Sequence, residues 1–262
     1  MDPPDLGDRL WDRLSSGGRV FVPYVTGGLA GVDGDLLRGL EDAGADAIEI
    51  GIPFSDPVMD GPVIQEASRR ALEAGARLEG IVHEAASATL SVPVVLMTYL
   101  NPVLALGYER FGELAGGIAS GVIVPDLPVD EAGRWLEAAP EGLATVFLAA
   151  PGTSEDRLAM VARASRGFVY CVSTYGVTGA RDALSETARS LVTALRSMTD
   201  TPLLLGVGIG TPEAAAAACR LADGVVVGSA LVRPLLDRDP SGTLDLARTF
   251  RAAIDRSERR GR

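Results

Sequence analysis

The sequence predicts a single (β/α)8 barrel with an extra N-terminal helix, on three observations. Short β-branched or aliphatic runs recur eight times, each followed by apolar residues at helical spacing, which is the pattern of repeated βα units around a parallel sheet. The chain has 262 residues, 47% of them hydrophobic, enough for one well-buried core at a length where such barrels form one domain. No Ser/Gly-rich linker or low-complexity block divides it, so residues 1–262 read as one domain. An open doubly wound sheet is the alternative architecture, and the count of eight favours closure.

In chain order, residues 1–16 hold the extra helix, with its apolar spacing over 6–14, positioned to cover the bottom of the barrel. The eight strands are expected at 20–25, 45–50, 94–97, 121–124, 144–148, 167–172, 203–207 and 224–227. Helical spacing marks 35–43, 64–74, 78–88, 130–139, 154–164, 186–198 and 212–220 between them. Residues 244–254 read as the last outer helix, and 256–262 as a frayed tail.

Composition removes several kinds of chemistry. All 24 basic residues are arginine, so mechanisms that need a lysine amine, Schiff-base aldol chemistry and covalent pyridoxal phosphate among them, are excluded. The single histidine, His83, cannot supply a histidine cluster for catalytic zinc; it sits in a helical pattern and reads as structural, and no metal is expected. Cys171 and Cys219 form no spaced framework and read as reduced packing residues. The net charge of −11, with arginines scattered among carboxylates, argues against nucleic acid. No apolar run is long enough to span a bilayer, and residues 1–13 are acidic without a basic leader, so a cytoplasmic protein with no membrane partner is expected. The remaining chemistry rests on carboxylates, hydroxyls and backbone amides.

The segment from Ile48 to Gly61 is the most informative. Alternation along the second strand turns Ile48 and Ile50 to one face and Ala47 and Glu49 to the other, which in a barrel is the interior. At the C-terminal end of a strand, Glu49 stands where this fold builds active sites, and burial should raise its pKa toward values useful for proton transfer. The loop that follows carries Pro53 and Pro57 and ends in Asp60-Gly61, a stiff excursion able to return a second carboxylate to the barrel mouth. Taken singly, either carboxylate reads as well as an ion-pair partner or loop cap.

At the other side of the mouth, Gly206-Val207-Gly208-Ile209-Gly210 follows the seventh strand, and Gly228-Ser229-Ala230 follows the eighth and opens a helical stretch. Glycines admit an anion close to the backbone, and helix N-termini offer unpaired N–H groups, so a phosphate held by amides is expected there. Ordinary βα turns would also use glycine. Residues 173–185 form a polar, glycine-bearing stretch longer than most βα loops, either a mobile lid or a fixed Ω-loop.

This ordered set of motifs resembles the tryptophan synthase alpha-subunit family. The resemblance runs from about Phe21 to Val232. It includes Pro23-Tyr24-Val25-Thr26-Gly27, the Glu49-to-Asp60 segment, Gly61-Pro62-Val63-Ile64-Gln65, Tyr99-Leu100-Asn101-Pro102, Pro125-Asp126-Leu127-Pro128, Gly176-Val177-Thr178-Gly179-Ala180 and Gly228-Ser229-Ala230. It implies a TIM barrel that cleaves indole-3-glycerol phosphate to indole and glyceraldehyde 3-phosphate, a step of L-tryptophan biosynthesis. The family's acid/base falls on Glu49 and its indole-anchoring carboxylate on Asp60. Its phosphate-binding residues fall on Gly179, Gly208, Gly228 and Ser229, and its lid threonine on Thr178. Tyr24, Leu100, Leu127 and Tyr170 are expected around the flat ring, by resemblance and as inward-pointing strand-end residues; barrel filling would account for each as well. The resemblance also implies a tryptophan synthase beta subunit as partner in an alpha2beta2 heterotetramer. The pyridoxal phosphate belongs to that partner and no cofactor to this chain, and residues 53–58 with the Asn101-Pro102 turn are the expected contact surface. A stand-alone lyase would share every motif, and a catalytically silent phosphate-binding regulatory subunit is opposed by the intact carboxylate pair.

Overall fold

The computed structural model describes residues 3–172 and 181–258. Nine parallel segments, β1 (Val20–Thr26), β2 (Ile48–Gly51), β3 (Val94–Met97), β4 (Gly121–Ile123), β5 (Ala144–Val146), β6 (Leu148–Ala149), β7 (Val169–Val172), β8 (Leu203–Gly206) and β9 (Gly224–Val227), lie in the order β5-β4-β3-β2-β1-β9-β8-β7-β6. The fifth expected strand is present as two segments, β5 and β6, interrupted at Phe147. Its first part pairs with β4 (Ile123 opposite Val146) and its second with β7 (Leu148 opposite Tyr170). Changing partner along one strand is what closes the ring, and the Phe147 carbonyl between them accepts the Tyr170 N–H at 3.0 Å.

Alternation sorts the strand residues into two cores. Val20, Val22, Ala47, Val95, Ile123, Val146, Phe168, Leu204 and Val226 fill the barrel, while Phe21, Ile48, Ile50, Leu96, Val122, Val169 and Val225 pack outward against the helices. Helix α1 (Leu6–Ser15), capped by the Asp5 carboxylate on the Asp8 N–H at 2.8 Å, sends Leu6 and Leu10 into the inner core and plugs the bottom. Gly121 and Gly167 make room for Leu6: a Cβ on either would stand 2.8 and 2.5 Å from its methyl group.

The outer layer contains α2 (Gly34–Asp42), α3 (Pro62–Glu73), α4 (Leu78–Ser87), α5 (Leu100–Leu106), α6 (Tyr108–Gly116), α7 (Gly133–Ala138), α8 (Glu155–Ala164), α9 (Arg181–Arg196), α10 (Pro212–Ala218), α11 (Ser229–Leu236) and α12 (Pro240–Glu258). Three expectations change. The helix expected at 130–139 divides into a 3-10 turn, Val129–Glu131, and α7, with Ala132 out of helical geometry (φ −80°, ψ 0°) between them. The helical pattern expected after the third strand, for which the sequence sets no bounds, is two helices, α5 and α6, over 100–116. The last helix runs three residues into the stretch expected to fray, its final turn tied by Ser257 Oγ to the Ile254 carbonyl at 2.6 Å. No helix among the described residues is long and apolar enough to cross a membrane.

Under the barrel, Asp46, Arg13, Arg251 and Asp255 join the first and last helices to the sheet. Asp46 accepts the Phe21 N–H at 2.9 Å and Arg251 Nη1 at 3.2 Å, while Asp255 accepts Arg13 Nη2 at 2.7 Å and pairs with Arg251 Nη2 at 2.6 Å.

Candidate active site

Glu49 lies in β2 opposite Tyr24 of β1 and Val95 of β3, on the inward face as its parity predicts, and is 1% exposed. Its Oε2 has no hydrogen-bond partner among the described residues. Burial first and the nearby Asp60 charge second raise its pKa to about 8, since among the described residues no cation offsets the loss of water. A proton therefore stays on this carboxyl at neutral pH.

Asp60 comes from the loop between β2 and α3, and both its flanks are held. Its own carbonyl accepts Gln65 Nε2 at 2.8 Å, and the preceding Met59 N–H donates to the Tyr99 hydroxyl at 3.1 Å. Pro62 at the first helical position and the extended Gly61 before it start α3 immediately after, as a missing N–H at that position allows. Burial raises Asp60 to about 6, and the Tyr99 hydroxyl, acting as a donor toward the carboxylate, offsets part of the rise. Asp60 is thus mainly ionised at pH 7, while Glu49 is mainly neutral.

The two carboxyls line one cavity of about 210 Å³ at the C-terminal end of the barrel. It is lined by Met97, Ile123, Leu148, Val172 and Val226 with Tyr24 and Tyr170, by Met59 and Ile64 from the stretch after β2, and by Val207, Gly208, Ile209, Gly228 and Ser229 from the loops after β8 and β9. Each tyrosine lies across a glycine of the next strand. A Cβ on Gly51 would stand 2.0 Å from the Tyr24 oxygen, and one on Gly206 2.2 Å from the Tyr170 oxygen. Those glycines let both rings lie flat toward the mouth. Burial raises both phenols above their ordinary range, so both remain neutral donors.

At the rim the chain leaves β8 at Val207 with φ +61° and continues through Gly208 at φ +84°. The turn bends the Val207–Gly208 backbone over the cavity at a position strained for a β-branched residue, which ends β8 one residue earlier than the sequence suggests. Gly228 precedes α11, whose N-terminal Ser229 faces the same space. A Cβ on Gly228 would meet Ile64 at 3.5 Å and Tyr24 at 3.7 Å, ordinary contact, so packing does not demand glycine there. The open volume suits an anion approaching backbone N–H groups and a helix N-terminus.

Of the expected site residues, Glu49, Asp60, Tyr24, Tyr170, Gly208, Gly228 and Ser229 share this cavity. Leu100 and Leu127 do not line it. Leu100 opens α5, and Leu127 is 5% exposed in the loop beyond β4; both pack in the outer core between strands and helices. Met97 and Ile123, on the inward face of β3 and β4, stand where those two were expected. The signal was available: counting inward from Val95 by twos reaches Met97. Thr178 and Gly179 lie outside the described residues. Tyr99 is the functional neighbour that sequence reasoning missed, since nothing local to β3 announces that it meets the loop after β2.

Comparison with known proteins agrees with this geometry. The family model described as tryptophan synthase alpha chain matches residues 12–254. The chain belongs to the tryptophan synthase alpha chain family. Among its relatives, the alpha chain of Streptomyces avermitilis is 42% identical over 98% of this chain and 95% of its own length, and that of Mycobacterium marinum 48% identical over 88% of each. Among solved structures, tryptophan synthase from Mycobacterium tuberculosis superposes with a TM-score of 0.85 at 36% identity, covering 97% of this chain and 99% of that one. The alpha chain from Legionella pneumophila gives 0.84 at 31%, covering 97% and 98%. These neighbours are TIM barrels, and membership places the chain in tryptophan biosynthesis as an alpha subunit with lyase activity.

Proposed function

We propose that this chain cleaves the carbon–carbon bond of indole-3-glycerol phosphate, giving indole and glyceraldehyde 3-phosphate. The observation that carries the reading is one cavity holding a neutral Glu49 and an ionised Asp60 together with a glycine-bearing rim. In the retro-aldol step, protonated Glu49 delivers its proton to indole C3. Asp60 accepts the indole N–H and stabilises the positive charge on the ring. The bond between C3 and the glycerol carbon then breaks, its electrons returning to the ring. The Glu49 carboxylate takes the proton of the adjacent glycerol hydroxyl, whose oxygen becomes the aldehyde. Glu49 ends as it began, and no cofactor is needed in this chain. Tyr24, Met97, Ile123 and Tyr170 hold the ring, and Gly208, Gly228 and Ser229 bind the phosphate through amides and a hydroxyl; Gly179 and Thr178 carry the family's phosphate and lid roles.

The partner is a beta subunit that holds pyridoxal phosphate and receives the indole, in an alpha2beta2 assembly in the cytoplasm. Exposed apolar side chains beside the mouth, Val58 at 76% and Leu104 at 51%, support a contact there that includes residues 53–58 and Asn101-Pro102, which the sequence suggests as a turn and which instead form the start of α5. The test supplies indole-3-glycerol phosphate and follows aldehyde release through a coupled dehydrogenase, with and without a beta subunit. Strong activation by the beta chain is expected, with kcat/KM rising as pH passes about 6, where Asp60 ionises, and falling through about 8, where the Glu49 proton is lost. Substrate binding without turnover under both conditions overturns the reading; full turnover indifferent to the beta chain leaves a stand-alone lyase.

A further inference from the structure

We infer that Tyr99 is a positioning residue for Asp60, holding the carboxylate over the cavity by gripping the loop residue before it and facing the carboxylate itself. Tyr99 follows β3 and is 2% exposed, so its side chain has a single well-defined place in the fold. Its ring stacks on Phe54 of the β2–α3 loop, with centroids 5.3 Å apart and planes at 28°. Its oxygen accepts the Met59 N–H at 3.1 Å. An accepting phenol keeps its own proton to donate, and Asp60 is the foremost acidic group it faces, ahead of Asp126: the phenol offsets part of the rise that burial gives Asp60, while burial first and the Asp60 charge second raise Tyr99 above its ordinary range.

The other anchor at Asp60 is Gln65 Nε2 on its own carbonyl at 2.8 Å, which holds the backbone and not the carboxylate. Ser55, Asp56, Val58 and Met59 are exposed, and the Ser55 hydroxyl bonds only to neighbouring Asp56. Ring and hydroxyl therefore act at two points, Phe54 at the start of the excursion and Met59 at its end. Without the hydroxyl, Met59 loses its acceptor and Asp60 its donor together. The consequences are a carboxylate less fixed against the substrate ring N–H and one that gains its proton at higher pH.

This rests on Asp60 as the indole-anchoring carboxylate, and the test separates the two. Tyr99→Phe keeps the ring on Phe54 and removes only the oxygen. In the full chain without substrate, the Asp60 carboxyl carbon is titrated by NMR in wild type and variant; with substrate and beta subunit, kcat and KM are measured across pH. The variant is expected to titrate Asp60 at higher pH, to move the acid limb of the activity profile the same way, and to lower kcat roughly tenfold to a hundredfold with KM changed less than about threefold, the scale of losing a hydrogen bond to a charged group. An unmoved Asp60 titration overturns the inference even if activity falls, because a merely structural role would give that result. A moved titration with unchanged kcat overturns it too. If wild type fails to cleave the substrate, the proposed function fails, while the titration still decides Tyr99. Should Tyr99→Phe not fold, Phe54→Leu retains the hydroxyl and loosens the ring; a smaller shift of titration and kcat in the same directions is expected, and no shift in either overturns the inference.

Discussion

Replacing Glu49 by glutamine should shift stability in favour of the variant progressively as pH rises. Burial and the Asp60 charge raise the Glu49 pKa from the ordinary 4.5 to about 8, so the folded chain holds that proton more tightly than the unfolded chain does. The stability this contributes is fully present below about pH 4.5 and is lost as pH rises through 8. At pH 7 the loss spans about 2.5 pH units, on the order of 3 kcal/mol at roughly 1.4 kcal/mol per unit, and above pH 8 on the order of 5 kcal/mol. Glutamine does not titrate and escapes the loss. Its two amide protons add a cost of about 1–3 kcal/mol where they find no acceptor, but that cost is the same at every pH. The slope is therefore diagnostic, and the intercept is not. Urea unfolding of both proteins at pH 5, 7 and 8.5, with equal m-values as the control, measures it. A difference between the two proteins that stays flat from pH 5 to 8.5 would falsify the raised pKa, and with it the acid role of Glu49. The same variant should have no cleavage activity at any of these pH values.

Other substitutions test the walls and the frame. Gly206→Ala places a methyl 2.2 Å from the Tyr170 oxygen and 2.3 Å from Cζ of its ring, so it should cost about 1–3 kcal/mol and raise KM for indole-3-glycerol phosphate as the ring is driven into the cavity; the cost should shrink in a Tyr170→Ala background, which removes the ring, and an unaltered melting temperature and KM would contradict the contact. Gly228→Ala meets only ordinary contacts in the fold, so its stability should change by less than about 1 kcal/mol while KM rises roughly tenfold, since the methyl occupies the anion's space; inorganic phosphate competing equally well against both proteins would show that no anion binds there. Asp46→Ala removes the acceptor of the Phe21 N–H and of Arg251 Nη1 beneath the barrel, while Asp255 still pairs with Arg251 and Arg13, and should destabilise by about 1–3 kcal/mol in urea; a loss under about 0.5 kcal/mol would mean the network is dispensable.

Period-two alternation was enough to turn Glu49 inward before any coordinates, because the strand has only two faces and one of them is the barrel. The same rule, carried past the strand ends, misplaces two residues. Leu100 and Leu127 follow their strands and belong to a helix start and a loop, where parity no longer holds, while Met97 and Ile123 keep it and line the cavity. The split of the fifth strand at Phe147 could not be read locally either, since it reflects which neighbour each half meets when the sheet closes. Tyr99 was invisible for a related reason: its partners Phe54 and Met59 lie some forty residues earlier, and only the adjacency of β2 and β3 brings them together. The turn at Val207 was hidden by its residue type, because a β-branched side chain argues for continued strand and its positive φ is imposed by the surrounding chain.

Two acids in one small cavity would ordinarily compete for a single proton with no preference between them. Here the preference is built by depth. Glu49 stands on a strand within the barrel, among apolar walls and with an oxygen that meets no donor among the described residues, so burial alone already favours its neutral form. Asp60 stands at the mouth on a loop, half-buried, beside a phenol that donates toward it, so its charge is tolerated. Each state then reinforces the other, because the Asp60 charge is itself one of the two causes that keep the proton on Glu49. A closed barrel provides this gradient directly: its interior is dry and fixed by the strands, its rim is wet and adjustable by the loops. The acid that must deliver a proton is placed by the first, and the anion that must steady a transient positive charge by the second.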